Sequence, residues 1–152
     1  MRENAGRKVR TRLLMKVTRQ FSAMRSRATI VCRNDGRVLL VTRGRSRWSL
    51  PGGTVKRHEG PLHAAKRELL EETLIVGELL RYEFEFVGFS KRHHVFVLDV
   101  PVDTTPQPAH EIVHCRWVRP TMVGALAVSV PTREIVALLM EHAAANARAR
   151  LL

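Results

Sequence analysis

The run Arg67-Glu68-Leu69-Leu70-Glu71-Glu72 carries the strongest structural signal in this chain of 152 residues. In a helix, its three glutamates stand at positions i, i+3 and i+4 and therefore share one face. Like charges at these spacings repel one another and destabilise an isolated helix. The run predicts either a solvated acidic face or a site for a divalent cation, because clustered carboxylates are suitable ligands for such an ion.

The residues before this run predict a loop followed by a helix. Trp48-Ser49-Leu50-Pro51-Gly52-Gly53 leads into a sharp Pro-Gly-Gly turn. Gly60-Pro61 ends a loop and places proline near a first helical turn. Strong helix formers dominate from there to Glu72. The apolar positions of this helix form a narrow stripe: Leu62, Ala65 and Leu69. Because the glutamates lie beside this stripe, we expect them to be neither fully buried nor freely solvated.

Over the 23 positions from Gly53 to Ile75, the spacing resembles the Nudix box, GX5EX7REUXEEXGU, in which U is a bulky aliphatic residue. Glu59 and the glutamate run stand in register with it. One fixed position departs, since the family expects glycine where this chain has Leu74. A glycine just past a helix end usually adopts a left-handed conformation. Leu74 therefore either changes the helix end, with unwinding toward Gly77, or keeps a conformation that costs roughly 1 kcal/mol.

The resemblance implies a Nudix fold, an α/β/α sandwich in which a mixed β-sheet lies between helices. It also implies hydrolysis of the diphosphate linkage in a nucleoside diphosphate joined to another moiety, with Mg²⁺ or Mn²⁺ as cofactor. By the same resemblance, Glu68, Glu71 and Glu72 are the catalytic carboxylates and metal ligands, and the Gly52 carbonyl is a further ligand. The general base would be Glu68 or a residue from a loop outside the box.

Other residues receive supporting or weaker assignments. Gly53, Glu59 and Arg67 would support the site structurally, with Arg67 pairing with a carboxylate, although a surface ion pair of little value is the alternative. Glu111, six residues before Trp117, resembles a metal ligand from a later loop of MutT-like proteins, or it is a solvated loop carboxylate. Several basic side chains would meet substrate phosphates or remain solvated: Arg43, Arg45, Arg47, Lys91 and Arg92.

Basic residues are concentrated at the beginning of the chain. Residues 1–27 contain nine Lys and Arg side chains against Glu3 alone, in a chain of net charge +12. We expect a basic extension over residues 1–27 and a Nudix hydrolase domain over residues 28–152. The extension would bind nucleic acid or an anionic surface, serve as an organelle transit peptide, act as a solubilising tail, or pack on the domain as an extra element.

The remaining sequence predicts short strands and one further helix. Alternating or apolar runs indicate strands over residues 28–32, 37–42, 82–89, 94–100 and 114–118. Asn34-Asp35-Gly36 predicts a hairpin turn between the first two. A helix is expected over residues 131–145, with Thr132 as its N-cap and Glu134 near its first turn.

Composition narrows the class of protein. Cys32 and Cys115 lack the spacing of a metal site or a disulfide framework, so we expect buried, reduced thiols in a cytoplasmic protein. No apolar stretch approaches the length of a membrane span, and the pattern predicts no particular oligomeric state. The expected partner is a small nucleotide-type diphosphate. Two alternatives stay open: a hydrolase of dinucleoside polyphosphates, inositol polyphosphates or RNA ends, and a Nudix-fold binding module without turnover. The complete glutamate set argues against the binding module.

Overall fold

The structure is a computed structural model, and it describes residues 24–152. Six strands are present in this part of the chain: β1 Arg25–Asn34, β2 Arg37–Thr42, β3 Gly52–Thr54, β4 Arg81–Val87, β5 Lys91–Asp99 and β6 His114–Val118. Its helices are α1 Pro61–Thr73, a 3₁₀-helix at Pro120–Ala125, and α2 Val130–Ala149. Among the described residues, no helix is both long and apolar enough to cross a membrane. Most of the expected basic extension, residues 1–23, lies outside the described residues, as do the predictions made for it.

The strands form one mixed sheet in the order β4-β5-β1-β2-β6, with β3 paired to β1. β1 and β5 run parallel, and the other pairs are antiparallel. β1 pairs with β2 only at the hairpin end and with β3 at its opposite end. The segment before β3 fills the opening between β1 and β2, because Ser49 bonds to Val41 and the Pro51 carbonyl accepts from the Ile30 N–H at 2.9 Å. This opening positions the glycine loop at one end of the sheet.

Alternating side chains of the central strands build one apolar layer on each side of the sheet. Ile30 and Leu39 belong to the layer that packs against α1 through Leu69. Val31 and Leu40 belong to the other layer, which contains Ile135 of α2. A strand whose successive residues enter two different cores is buried on both faces. The predicted sandwich, a mixed sheet between helices, is therefore confirmed.

The hairpin between β1 and β2 has the predicted turn. Its two central residues, Asp35 and Gly36, have φ values of 48° and 70°. Positive φ at both positions is the geometry of the tight hairpin turns that Asp-Gly favours. The strand predicted over residues 114–118 is also present with those bounds as β6.

Several local predictions were wrong, among them the bounds of three strands: those expected over residues 28–32, 82–89 and 94–100 are Arg25–Asn34, Arg81–Val87 and Lys91–Asp99. Helix α2 begins at Val130, and Ser129 is its N-cap, accepting a hydrogen bond from the Thr132 N–H. Thr132 instead lies in the first turn, where its hydroxyl accepts from the Leu50 N–H at 3.0 Å, and no acidic residue occupies that turn. Leu62 is exposed, so the buried face of α1 is centred on Ala64, Ala65 and Leu69. Of the two thiols, Cys32 is buried, but Cys115 is only partly so.

Candidate active site

Two consecutive glycines bring the loop against both the sheet and helix α1. Gly52 has a φ of 147°, and a Cβ atom there would overlap the Ala28 carbonyl oxygen. A Cβ atom on Gly53 would overlap the carboxylate of Glu68. Glycine is therefore required at position 52, because the backbone has a positive φ there and lies too close to β1 for a side chain. The second leaves the space in which the Glu68 carboxylate lies beside the loop.

Arg67 joins the loop to the carboxylates of α1. Its Nε and Nη2 donate to the two oxygens of Glu59 at 2.7 and 3.0 Å. Its Nη1 donates to Glu68 at 2.7 Å and to Glu71 at 3.2 Å, and Nη2 also donates to the Thr54 carbonyl. The Glu59 and Arg67 side chains are 10% and 17% exposed. Hydrogen bonding to Arg67 is the main reason that the pKa of Glu59 falls to about 2.

Glu72 is the buried carboxylate of the site, with only 3% of the residue exposed, so the expectation that none of the three glutamates is fully buried was wrong for this one. Its Oε2 accepts a hydrogen bond from the Gly52 N–H at 3.1 Å. Burial raises the pKa of Glu72 to about 7, and the neighbouring Glu68 raises it further, whereas the Gly52 hydrogen bond and Arg27 oppose the rise. Burying a carboxylate without a charge partner is unfavourable. This position therefore suits a cation that would stabilise the ionised form.

The loop between β5 and β6 brings the fourth carboxylate toward α1. The N–H groups of Gln107 and Ala109 donate to the carbonyls of Thr73 and Glu72, at 2.9 and 3.2 Å, which satisfies acceptors at the helix end. Glu111 follows two residues later and bonds to Arg43. A cavity of about 310 Å³ has a lining made of the acidic side chains and one histidine: Glu68, Glu71, Glu72, His110 and Glu111.

The donor set of this cavity fits a hard divalent cation, since Mg²⁺ and Mn²⁺ prefer carboxylate and carbonyl oxygens. Within residues 24–152, however, no three His, Cys, Asp or Glu side chains already converge into a metal-binding group. Arg67 holds Glu68 and Glu71, and the Nη2 of Arg27 donates to the Gly52 carbonyl at 2.8 Å. Metal binding therefore requires these side chains to rotate, which the exposure of Glu71 permits.

The predicted phosphate-binding side chains divide into two groups. Arg43, Arg47 and Lys91 line a cleft of about 1100 Å³ that also contains Glu68, Glu72 and Glu111. Arg45 and Arg92 do not line it, and Arg92 forms an ion pair with Glu85 at 3.3 Å. Alternation along β5 separates Lys91 from Arg92, because neighbouring residues of a strand point to opposite faces.

Sequence reasoning missed two residues of the cleft lining, Arg27 and Thr29, although His93 stands in a run that was expected to meet substrate phosphates. Arg27, which was expected in the basic extension, lies in β1 opposite His93 of β5. Thr29 Oγ1 and His93 Nδ1 are 2.9 Å apart, and all three residues line the cleft. The available signal was alternation, since Arg27, Thr29 and Val31 occupy every second position of one strand. Because Arg27 stands at the end of the basic run, it was assigned to the basic extension and not to a strand.

Comparison with known proteins agrees with the fold. The family model for the NUDIX domain matches residues 23–139. An 8-oxo-dGTP diphosphatase of Buchnera aphidicola is 54% identical over 52 residues, which cover 32% of this chain and 41% of the relative's length. A Nudix hydrolase family member from Chromobacterium violaceum superposes with a TM-score of 0.70 at 26% identity over 79% of each chain. The dihydroneopterin triphosphate pyrophosphohydrolase of E. coli gives a TM-score of 0.61 at 24% identity, over 73% of this chain and 91% of the other.

This chain belongs to the Nudix family, because the family model covers most of its length. The prediction made from the box is thereby confirmed at the level of the family and its fold. The curated relative is matched over less than half of its length, so its activity does not transfer to this protein by identity alone. The roles of the individual site residues remain predictions.

Proposed function

We propose that this protein is a divalent-metal-dependent pyrophosphohydrolase that cleaves the diphosphate linkage of a nucleotide-type substrate. The observation that carries the proposal is the placement of Glu68, Glu71 and Glu72 around one cavity beside a larger open cleft. Family membership supports hydrolysis of this kind of bond. Similarity over 52 residues to an 8-oxo-dGTP diphosphatase supports a nucleoside triphosphate as the first substrate to examine.

The three glutamates, the Gly52 carbonyl and Glu111 would hold Mg²⁺ or Mn²⁺. The bound ion would neutralise phosphate charge and lower the pKa of a water molecule. Glu72 would contribute the buried carboxylate, oriented by the Gly52 N–H. Arg67 would keep Glu68 close to the loop, and Glu59 would hold Arg67 in place through paired hydrogen bonds. Arg43, which bonds to Glu111, would position the later loop.

The opposite part of the cleft suits an aromatic base. Phe89 is fully exposed in the turn between β4 and β5, and the side chains of Val87 and Val130 on the same cleft are about half exposed. Exposed apolar groups that line one cleft indicate a ligand that covers them. A substrate with charged phosphates at one end and a planar base at the other would match both parts.

The free thiols Cys32 and Cys115 support a cytoplasmic location.

A phosphate-release screen tests this function. Purified protein with Mg²⁺ or Mn²⁺ is incubated with nucleoside triphosphates including 8-oxo-dGTP, dinucleoside polyphosphates and sugar nucleotides. We expect metal-dependent turnover of at least one nucleotide, loss of turnover in Glu72→Gln, and unchanged turnover in Glu78→Gln, an exposed glutamate outside the cleft. Absence of turnover for every substrate, in folded protein, would instead favour a binding module.

A further inference from the structure

Within residues 24–152, the Arg27 guanidinium makes a single hydrogen bond. Its Nη2 donates to the Gly52 carbonyl at 2.8 Å, whereas a guanidinium group carries five N–H donors in a rigid fork. Arg27 lines the large cleft, so the remaining donors lie at its wall. A single backbone bond orients the group and leaves most of its hydrogen-bonding capacity for a ligand.

The charge of Arg27 lacks a direct partner in the part of the chain that the structure describes. No ion pair joins it to an Asp or Glu there. Burial lowers the pKa of Arg27, although the more distant Glu72 and Glu68 raise it, and an arginine remains protonated in proteins. A partly buried cation without a paired anion is unfavourable. This arrangement is therefore suited to an anionic ligand.

Lys91 supplies a second positive charge on the same side of the sheet. It lines the cleft, is exposed, and forms no ion pair within residues 24–152. In the parallel pairing of β1 and β5, Lys91 stands opposite Arg25, and His93 stands opposite Arg27. Burial first, and then the charges of Arg27 and Lys91, lower the pKa of His93 to about 4. His93 is thus a neutral spacer between two cations.

We infer that Arg27 and Lys91 form an anion subsite that binds a phosphate group of the substrate beside the glutamate cavity. This inference rests on the proposed function and adds a residue set and a ligand chemistry to it. Arginine recognises phosphate through paired hydrogen bonds, and lysine adds a point charge. With the ion held by the glutamates, and Arg27 and Lys91 lining the adjoining cleft, two adjacent phosphates of one chain would be bound from two sides.

The test measures binding of inorganic pyrophosphate by calorimetry in EDTA at low ionic strength, so that neither a metal ion nor turnover contributes. Arg27→Gln keeps a donor for the Gly52 carbonyl and removes the charge. We expect it to weaken pyrophosphate binding roughly tenfold or more and to reduce the salt dependence of binding. The affinity of Arg27→Lys for pyrophosphate should lie between those of Arg27→Gln and the wild type, because lysine keeps the positive charge but lacks the paired N–H donors of the guanidinium group.

Arg37→Gln is the matched control, since Arg37 is an exposed arginine at the hairpin end of β2, outside the cleft. It should bind pyrophosphate as the wild type does. Circular dichroism of each variant verifies the fold. Equal affinity of wild type and Arg27→Gln, or no binding by the wild type, would overturn the subsite. Because no turnover is involved, this result is independent of the screen for hydrolysis.

Discussion

Arg67 and Glu59 are joined by two parallel hydrogen bonds, from Nε to Oε1 at 2.7 Å and from Nη2 to Oε2 at 3.0 Å. This bidentate pair connects the loop after β3 to the middle of α1. It also fixes the guanidinium whose Nη1 bonds to Glu68 and Glu71. We therefore expect Arg67 to support the site structurally, because one positive side chain bonds to three carboxylates that repel one another.

Arg67→Ala should destabilise the protein strongly. Removing it leaves three partly buried carboxylates without their donor, and breaking a buried ion pair costs about 3 kcal/mol or more. Urea unfolding monitored by circular dichroism measures the loss in free energy of unfolding. Arg33→Ala is the control, because the Arg33–Asp99 pair is 41% and 53% exposed and should contribute less than about 1 kcal/mol. Equal losses in the two variants would contradict this role for Arg67.

Gly53→Ala should impair metal binding with little effect on the fold. The three atoms nearest to a Cβ atom at this position all belong to the carboxylate end of Glu68, which is a flexible side chain, so Glu68 would move away from the loop. Calorimetry with Mn²⁺ should show weaker binding, while the free energy of unfolding changes by about 1 kcal/mol or less.

Gly124→Ala is the matched control for that variant. A Cβ atom on Gly124 meets nothing within 4 Å, so both metal binding and stability should stay near those of the wild type. Wild-type Mn²⁺ affinity in Gly53→Ala would show that the position of Glu68 beside Gly53 does not matter for the metal.

Much of the fold follows from local sequence rules. The turn at Asp35-Gly36, the helix containing Arg67 and the last strand were predictable because glycine, proline and apolar alternation act over a few residues. The box then predicted the family, since its spacing places the glycine loop and the carboxylates on successive elements. None of these rules depends on which strands pair across long distances.

The floor of the cleft was not predictable in the same way. Arg27 reaches the Gly52 carbonyl only because β1 pairs with β3 on one side and β5 on the other. His93 meets Thr29 across 64 positions of sequence. Such contacts depend on strand order, which a single sequence does not specify. For the same reason, the sequence did not indicate that Arg43 and Lys91 line the cleft whereas Arg45 and Arg92 do not.

Phe89→Ala should weaken binding of a nucleotide more than binding of a phosphate chain alone. Phe89 is fully exposed on the cleft, and loss of base stacking on an aromatic ring costs roughly 1–3 kcal/mol. For a nucleotide identified in the screen, KM should rise about fivefold or more. Inorganic triphosphate competes without a base, so its inhibition constant should stay unchanged. Equal effects on both ligands would exclude stacking, and Phe89→Tyr should preserve nucleotide binding.

His93 should make the protein less stable as the pH falls. Its pKa is lowered from 6.5 to about 4 in the folded state, so the unfolded chain takes up a proton first. Between these values the unfolded state binds more protons at His93, and the His93 contribution to the free energy of unfolding decreases as pH decreases, by roughly 3 kcal/mol in total. Below pH 4 this contribution is constant. Glu72, whose pKa is raised from 4.5 to about 7 in the folded state, contributes with the opposite sign. Unfolding in urea at several pH values from 7 to 4 measures the slope.

His93→Gln should lose less stability than the wild type as the pH falls from 7 to 4, since glutamine does not titrate. His94→Gln is the control, because His94 is the neighbouring histidine of β5 and lies outside the cleft lining. It should keep the pH dependence of the wild type. An unchanged slope in His93→Gln would show that His93 is not the group responsible.

Leu74→Gly should stabilise the protein, although it removes a large side chain. Leu74 ends helix α1 with φ 58° and ψ 16°, and its N–H donates to the Leu70 carbonyl. The left-handed conformation that the box assigns to glycine is therefore kept by a leucine, at a cost of roughly 1 kcal/mol. Since Leu74 is 52% exposed, its removal sacrifices little apolar burial. Thermal unfolding should show a higher midpoint for Leu74→Gly and a lower one for Leu70→Gly, the same change inside the same helix. A lower midpoint in both variants would mean that packing of Leu74 outweighs its strain.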